Sequence, residues 1–322
     1  MEVIVTGGAG YIGAHLVDSL LRSGHEVTII DNFSTGNKSF VNNKAKLIEG
    51  SVEDSIFVEE LFSKLKFPDL VVVIHASGLK FAGESVKDPL KFYTANTIST
   101  INLLKQMKKF NLNKLIFSSS SSVYGDTQSN KSLKEDFDSK PISPYGRSKF
   151  FSEQIIRDAA SEFNLNYVSL RYFNVIGNSE INAYDTSRFN LLPNIYRAIQ
   201  NKTHLRVFGG GYQTPDGTCI RDYVDVVSLA NAHCDFVALL EKNKSLPKII
   251  NLGSGAGTSI MEIIKIVKEN IDKDLKFEII DGRAGDPSSV IADCTAAEQL
   301  IGWNPNTNLG DIISSGWKAW NR

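Results

Sequence analysis

The stretch Tyr145-Gly146-Arg147-Ser148-Lys149 holds a phenol and an ammonium four residues apart. Pro144 just ahead of it suits a first helical position, where a missing N–H costs little. A spacing of four then sets both groups on one helix face. An ammonium within about 4–6 Å lowers a neighbouring acid's pKa by roughly 1–3, so a phenol starting near ~10 would serve as a base close to neutral pH. That is a device for moving a proton. The same spacing also arises by chance on solvated helix faces, so its meaning depends on what the rest of the chain sets beside it.

The amino-terminal residues supply a nucleotide site. Val3-Ile4-Val5 predicts a short buried strand running into Thr6-Gly7-Gly8-Ala9-Gly10-Tyr11-Ile12-Gly13. Gly8, Gly10 and Gly13 satisfy G-x-G-x-x-G, while Gly7, Gly10 and Gly13 give an alternative spacing of three. On either assignment the missing Cβ atoms let the turn tighten and the backbone approach a pyrophosphate, whose charge meets the positive end of the next helix. That helix is expected over 13–22, with Leu16, Val17, Leu20 and Leu21 on one side and an end near Gly24. Segment 26–31 predicts the second strand, delivering the Asp31 carboxylate 18 residues after Gly13. A carboxylate there reads the ribose 2′-hydroxyl and repels a 2′-phosphate, which favours NAD over NADP.

Composition narrows the class. At 322 residues and 42% hydrophobic the chain can bury a large core, with one big domain and a smaller one expected. A net charge of −1 argues against nucleic acid or an anionic membrane as the main partner. The strand at 2–6 leaves no room for a signal or transit peptide, and no apolar run approaches the ~20 residues of a membrane span. Cys219, Cys234 and Cys294 are odd in number and widely spaced, which suggests reduced thiols in the cytoplasm. The five histidines show no ligand spacing, and no metal site is expected.

Short apolar strands are expected at 2–6, 26–31, 46–49, 70–75, 114–118 and 166–171, with helices near 12–22, 55–65, 89–110 and 145–163. That alternation predicts an α/β fold with a doubly wound, Rossmann-type parallel sheet. Beyond 171 the pattern loosens, with helices near 191–200, 225–241, 258–270 and 294–301 and a turn at Gly209-Gly210-Gly211. The expected division is therefore a nucleotide-binding domain over 1–171, with a return segment near 218–242, and a smaller mixed α/β substrate domain over 172–322. Ligands of open parallel sheets bind outside the carboxyl ends of the strands. The chain sets its Gly-rich loop, Asp31, the His75–Lys80 segment, Ser118-Ser119-Ser120 and Arg171-Tyr172-Phe173-Asn174 at those ends, and Tyr145 and Lys149 begin the helix between the last two. A serine orienting a substrate hydroxyl whose proton Tyr145 removes is an arrangement suited to hydride transfer.

With these motifs in order, the chain resembles the extended short-chain dehydrogenase/reductase superfamily and, within it, the UDP-glucose 4-epimerases. The likeness spans nearly the whole chain. It rests on 6–13, His75-Ala76-x-Gly78-Leu79-Lys80-x-Ala82-Gly83-Glu84-Ser85, 118–125, 145–149, 171–174, Asp216-Gly217-Thr218-x-x-Arg221-Asp222-Tyr223 and Arg283-x-Gly285-Asp286. The resemblance implies Tyr145 as catalytic base, Lys149 holding the nicotinamide ribose and lowering the phenol's pKa, and Ser120 bonding the sugar hydroxyl. It implies an NAD site lined by Gly7, Gly10, Tyr11, Ile12, Gly13, Asp31, Asn32, Lys80, Asn96 and Phe173. It further implies a UDP-sugar substrate held by Asn174, Asn190, Arg221, Arg283 and Asp286, where the two arginines suit forked contacts with a diphosphate. A homodimer formed by the helices near 89–110 and 145–163 is also implied.

The implied reaction is a transient oxidation of the sugar at C4, rotation of the 4-keto sugar and return of the same hydride to its other face, with no net redox change. The sequence departs from the family in three places. Ser51 stands where many members have an acid that contacts adenine, Val290 where members restricted to glucose and galactose have a bulky Tyr, and Thr258 where an aromatic is common. A smaller Val290 leaves a UDP-N-acetylglucosamine epimerase as an alternative, and a uronic-acid epimerase or decarboxylase as another. A 4,6-dehydratase lacks its acidic pair here, since Ser121 and Ser122 occupy those positions. A non-enzymatic NAD-binding module is the reading from a different class.

Overall fold

Val3, Ile4 and Val5, and Val71 through Ile74, are each at most 2% exposed, as continuous apolar runs are when both faces of a parallel sheet are covered. The computed structural model describes residues 1–126, 132–282 and 287–322. Two compact units divide the chain. The first comprises Met1–Val123, Pro141–Arg171 and Ala230–Ile250, and the second Tyr124–Lys140, Tyr172–Leu229 and Asn251–Arg322.

In the first unit β1 (Glu2–Thr6), α1 (Tyr11–Arg22), β2 (Glu26–Asp31), β3 (Lys46–Glu49), α2 (Ser55–Phe62) and β4 (Val71–His75) alternate. Next come α3 (Ala82–Lys87), α4 (Pro89–Phe92), a π-helical turn (Tyr93–Ile98) and α5 (Ser99–Lys109), then β5 (Lys114–Ser120), α6 (Pro144–Phe163) and β6 (Asn166–Tyr172). The single helix expected over 89–110 is thus broken by the π turn. The chain continues through β7 (Asn174–Ile176), α7 (Leu191–Asn201), β8 (Leu205–Gly209), β9 (Ile220–Asp225), α8 (Val226–Glu241) and β10 (Ile249–Leu252). It closes with β11 (Gly257–Ser259), α9 (Ile260–Asn270), β12 (Phe277–Asp281), β13 (Ser289–Val290), α10 (Thr295–Ile301) and α11 (Leu309–Trp320).

The seven-stranded sheet has the order β10-β6-β5-β4-β1-β2-β3, with β3 through β5 joined by parallel pairings. Chain order reverses between β1 and β4, the switch point at which such sheets bind ligands. One face is packed by Val58, Leu61 and Phe62 of α2, Leu103 and Met107 of α5, and Ile156 of α6. In the second unit β11, β9 and β13 form a sheet joined by β7, and β12 pairs with β8. Its core gathers Ile195 and Tyr196 of α7, Ile263 and Val267 of α9, and Ile312 and Ile313 of α11.

Candidate active site

Helix α6 begins as its sequence dictates. Ser143 is the N-cap, accepting from the Gly146 amide at 3.0 Å, and Pro144 takes the first helical position. Tyr145 follows at once and is only 8% exposed. Its ring meets Phe92 edge-on, centroids 6.5 Å apart. Its phenol is hydrogen-bonded to Ser120, the last residue of β5. Two of the expected reacting groups are thereby brought together.

Lys149, one turn on and 6% exposed, donates from Nζ to the Ser118 carbonyl at 2.9 Å and lies 5.0 Å from the centre of the Phe117 ring. Burial lowers its pKa to about 8, with the Glu153 carboxylate opposing that fall. The expected lowering of the phenol is corrected here. Burial pushes Tyr145 above its ordinary value and the Ser120 hydrogen bond pulls it partly back, because removing a phenolate from water outweighs one hydrogen bond to it. Glu153 itself was not anticipated. Its carboxylate accepts from Ser119 Oγ at 2.5 Å and takes a forked contact from Arg171. Its position four residues after Lys149 was the readable signal.

The Gly-rich turn is built as tightly as its spacing requires. Gly7 has φ +74, and a Cβ on it would lie 2.7 Å from Ser77 Cα; one on Gly13 would lie 2.0 Å from the Gly7 oxygen. A Cβ on Gly10 would meet only the Gly7 oxygen, at 3.3 Å, so the space outside it is the cradle. Gly10 is also the N-cap of α1 and offers no capping side chain, whereas α2, α6 and α9 are capped by Asp54, Ser143 and Ser259. An uncapped helix start behind a glycine turn fits a dinucleotide's pyrophosphate. Ile12 sits in the first turn of that helix. Asp31 braces the turn, accepting from the Ala9 amide at 2.9 Å and the Phe33 amide at 2.8 Å. Asn32 donates to Ser51 Oγ at 3.3 Å.

Across the switch point Lys80 Nζ lies 5.9 Å from the centre of the Tyr11 ring. Asn96, 2% exposed within the π turn, holds Leu79 by both ends of its amide: Oδ1 accepts from the Leu79 N–H at 2.8 Å and Nδ2 donates to the Leu79 carbonyl at 3.0 Å. Nδ2 also donates to Ser148 Oγ at 2.8 Å. His75, fully buried between Thr6 and Thr100, has its pKa driven down to about 3 by burial and by Lys149, so it is neutral.

In the second unit Phe173 packs against Tyr124, centroids 6.5 Å apart, and its amide donates to the Leu252 carbonyl. Asn174 opens β7 opposite Tyr223 of β9, exposed to solvent. Arg221 lies on β9 between Thr258 and Val290 in the neighbouring strands. Asn190 precedes α7 and donates to Asp185 Oδ2 at 2.6 Å. Asp222, 1% exposed, accepts the amides of Ser254, Gly255 and Ala292 and shapes the loop beside Arg221. Arg283 and Asp286 lie outside the described residues. Among the described residues no group of three His, Cys, Asp or Glu side chains is arranged to hold a metal ion, and no helix is long and apolar enough to cross a membrane.

Residues 3–253 match the NAD dependent epimerase/dehydratase family. The chain is 38% identical to the UDP-glucose 4-epimerase of Corynebacterium glutamicum, over 98% of this chain and 95% of that protein. It is 37% identical to that of Lactobacillus helveticus, over 99% and 96%. The crystal structure of UDP-glucose 4-epimerase from Brucella ovis in complex with NAD superposes with a TM-score of 0.92 at 35% identity, covering 98% of this chain and 97% of that one.

Proposed function

The chain belongs to the NAD-dependent epimerase/dehydratase family, and on that premise we propose that it interconverts UDP-galactose and UDP-glucose by reversible epimerisation at C4. The observation that carries this reading is the buried pair Tyr145 and Lys149, with Ser120 beside the phenol and Lys149 Nζ on the Ser118 carbonyl, in the unit that also holds the glycine cradle. Bound NAD supplies the hydride acceptor and donor. Its pyrophosphate is held by Gly7, Gly10 and Gly13 and the first turn of α1 at Tyr11 and Ile12. The riboses and nicotinamide are held by Asp31, Asn32, Lys80, Asn96, Lys149 and Phe173. The first unit thus supplies every named NAD-binding residue but Phe173, which belongs to the second unit, and the second takes the nucleotide sugar through Asn174, Asn190, Arg221, Arg283 and Asp286.

Ser120 orients the sugar's C4 hydroxyl and Tyr145 Oη takes its proton as the C4 hydrogen leaves with its electron pair. The product is a 4-keto sugar. Tyr145 must begin as a phenolate to do this, and Lys149 supplies the positive charge that favours the phenolate once substrate has displaced water. The keto sugar turns about its bond to the diphosphate and receives the hydride on its other face, while Tyr145 returns the proton to O4. Binding through the fixed nucleotide holds the sugar while its reacting end rotates, and exclusion of water prevents loss of the intermediate.

Incubation of the purified protein with UDP-galactose, with and without added NAD, tests the reading: UDP-glucose should form, and Tyr145→Phe should bind UDP-sugar yet lose most turnover. No conversion in any sample, or full activity of Tyr145→Phe, rejects it. Val290 beside Arg221 favours a second reading, activity on UDP-N-acetylglucosamine as well, because the valine leaves room for an N-acetyl group. Conversion of UDP-galactose without conversion of that sugar rejects it. The chain pairs with a second copy through the π turn, α5 and α6, where Ile98 and Phe151 are 45% and 43% exposed and Tyr93 stacks on Phe151. It works in the cytoplasm, a reading supported by three cysteines outside any disulfide.

A further inference from the structure

The first amides of a helix have no partner within it, and in α6 each is accounted for in a way that isolates one residue. Pro144 has no N–H, the Gly146 amide is capped by Ser143 Oγ, and the Arg147 amide bonds the Ser143 carbonyl at 2.9 Å. The Tyr145 amide alone is left for a partner from elsewhere, and it donates to Ser85 Oγ at 3.0 Å, across 60 residues of sequence. Ser85 is 0% exposed, and its own proton is committed to the Ala82 carbonyl at 2.6 Å, which fixes its lone pairs toward Tyr145. On the other side of the same residue the Tyr145 carbonyl accepts from Ser148 Oγ at 2.7 Å, itself held by Asn96. Both main-chain groups of Tyr145 are therefore bonded to buried hydroxyls.

We propose that Ser85 is a positioning residue for proton transfer: by holding the Tyr145 amide it fixes the phenol against Ser120 and ties the start of α6 to α3, the helix that follows the Lys80 segment. The inference rests on the epimerase reading above and extends it to a residue that touches no substrate. A phenol reached through one helical residue shifts with its main chain, and displacement of a reacting group by about 1 Å can cost about 100-fold in rate. Among the described residues no other group of α3 bonds the Tyr145 main chain, so the hydroxyl is the specific feature to remove.

The experiment is UDP-galactose turnover by wild type, Ser85→Ala, Tyr145→Phe and the double variant, with NAD affinity and melting temperature measured on each. Wild-type turnover is the check on the underlying reading; its absence overturns that reading and, with it, this proposal, whereas the variants below test this proposal alone. With wild type active, Ser85→Ala should lower kcat roughly 10- to 100-fold with KM and NAD affinity within about 3-fold. Added to Tyr145→Phe, it should lower the residual rate no further, since it acts through the phenol. A wild-type kcat in Ser85→Ala, or the same proportional loss in the Tyr145→Phe background, overturns the proposal. Should Ser85→Ala fold poorly, Ser85→Cys keeps the volume and a weaker acceptor: a kcat reduced at unchanged melting temperature supports the proposal, and an unreduced kcat overturns it.

Discussion

Arg171 Nε and Nη2 reach Glu153 Oε1 and Oε2 at 3.0 and 2.8 Å, and both side chains are 2% exposed. Such a fork satisfies a buried carboxylate on both oxygens, and Ser119 completes the set. Removing one partner leaves an uncompensated charge. Arg171→Met should therefore destabilise the protein by about 3–5 kcal/mol and reduce the yield of folded protein. Glu153→Met combined with Arg171→Met should recover most of that loss. Urea unfolding of the two variants against wild type checks both expectations, and a double variant no better than the single would contradict the account.

The parts of this fold that were legible are those whose residues bury both faces. Val3 to Val5 and Val71 to Ile74 read as strands because a covered parallel sheet needs unbroken apolar runs, and Val27 to Ile30 read the same way with only Thr28 interrupting the run. The second unit offered no such signal, since β7, β11 and β13 have three, three and two residues and β9 carries Arg221 and Asp222 where a core strand would be apolar. The π turn was hidden for another reason. Asn96 is a buried polar residue inside a helical pattern, and its side-chain partners, Leu79 and Ser148, come from distant segments. The Tyr145 and Lys149 pairing was readable as spacing that gained meaning from the motifs around it, and Ser120 came through the family resemblance, but the rise in the phenol's pKa depends on burial that no motif records.

Two glycines of one motif should fail differently. A methyl on Gly13 would stand 2.0 Å from the Gly7 oxygen and 2.8 Å from Gly8 Cα, all backbone. Gly13→Ala should therefore disrupt the turn itself and lower the melting temperature by several degrees. Gly10→Ala meets a single atom at 3.3 Å, so its melting temperature should stay close to wild type while NAD affinity falls, because the methyl occupies the space a pyrophosphate needs. Calorimetry and NAD titration of the pair separate the two effects. Equal losses of stability would refute the distinction.

His75 makes stability depend on acid. Its folded pKa is about 3 and its ordinary value 6.5, so between those values the unfolded chain binds a proton that the native protein does not. Stability then falls as pH falls from about 6.5 toward 3, by about 1.4 kcal/mol per pH unit at the steepest. His75→Gln lacks the titrating group. The stability of wild type minus that of His75→Gln, from urea unfolding at several pH values, should decline through this window and be level above pH 7. A flat difference would remove His75 from the acid response.

Asn96 can be tested by changing one atom type. Its Nδ2 donates to both the Leu79 carbonyl and Ser148 Oγ, so in Asn96→Asp a carboxylate oxygen would face two groups that had been accepting hydrogen bonds. The cost should be about 1–3 kcal/mol near neutral pH. The Leu79 segment should move away, and because Lys80 follows it, NAD affinity should fall as well. Ser148 would be drawn to donate to the new carboxylate, giving up the Tyr145 carbonyl it holds at 2.7 Å, so kcat should drop along with stability. Protonating the introduced acid restores one O–H donor. Its folded pKa, raised by burial among acceptors, exceeds that of the unfolded chain, so the stability deficit should narrow as pH falls through the carboxyl range and widen as pH rises. Unfolding of Asn96→Asp and wild type between pH 4.5 and 8 reads that trend directly, and a deficit independent of pH would mean that the amide's donor role is not what holds the loop.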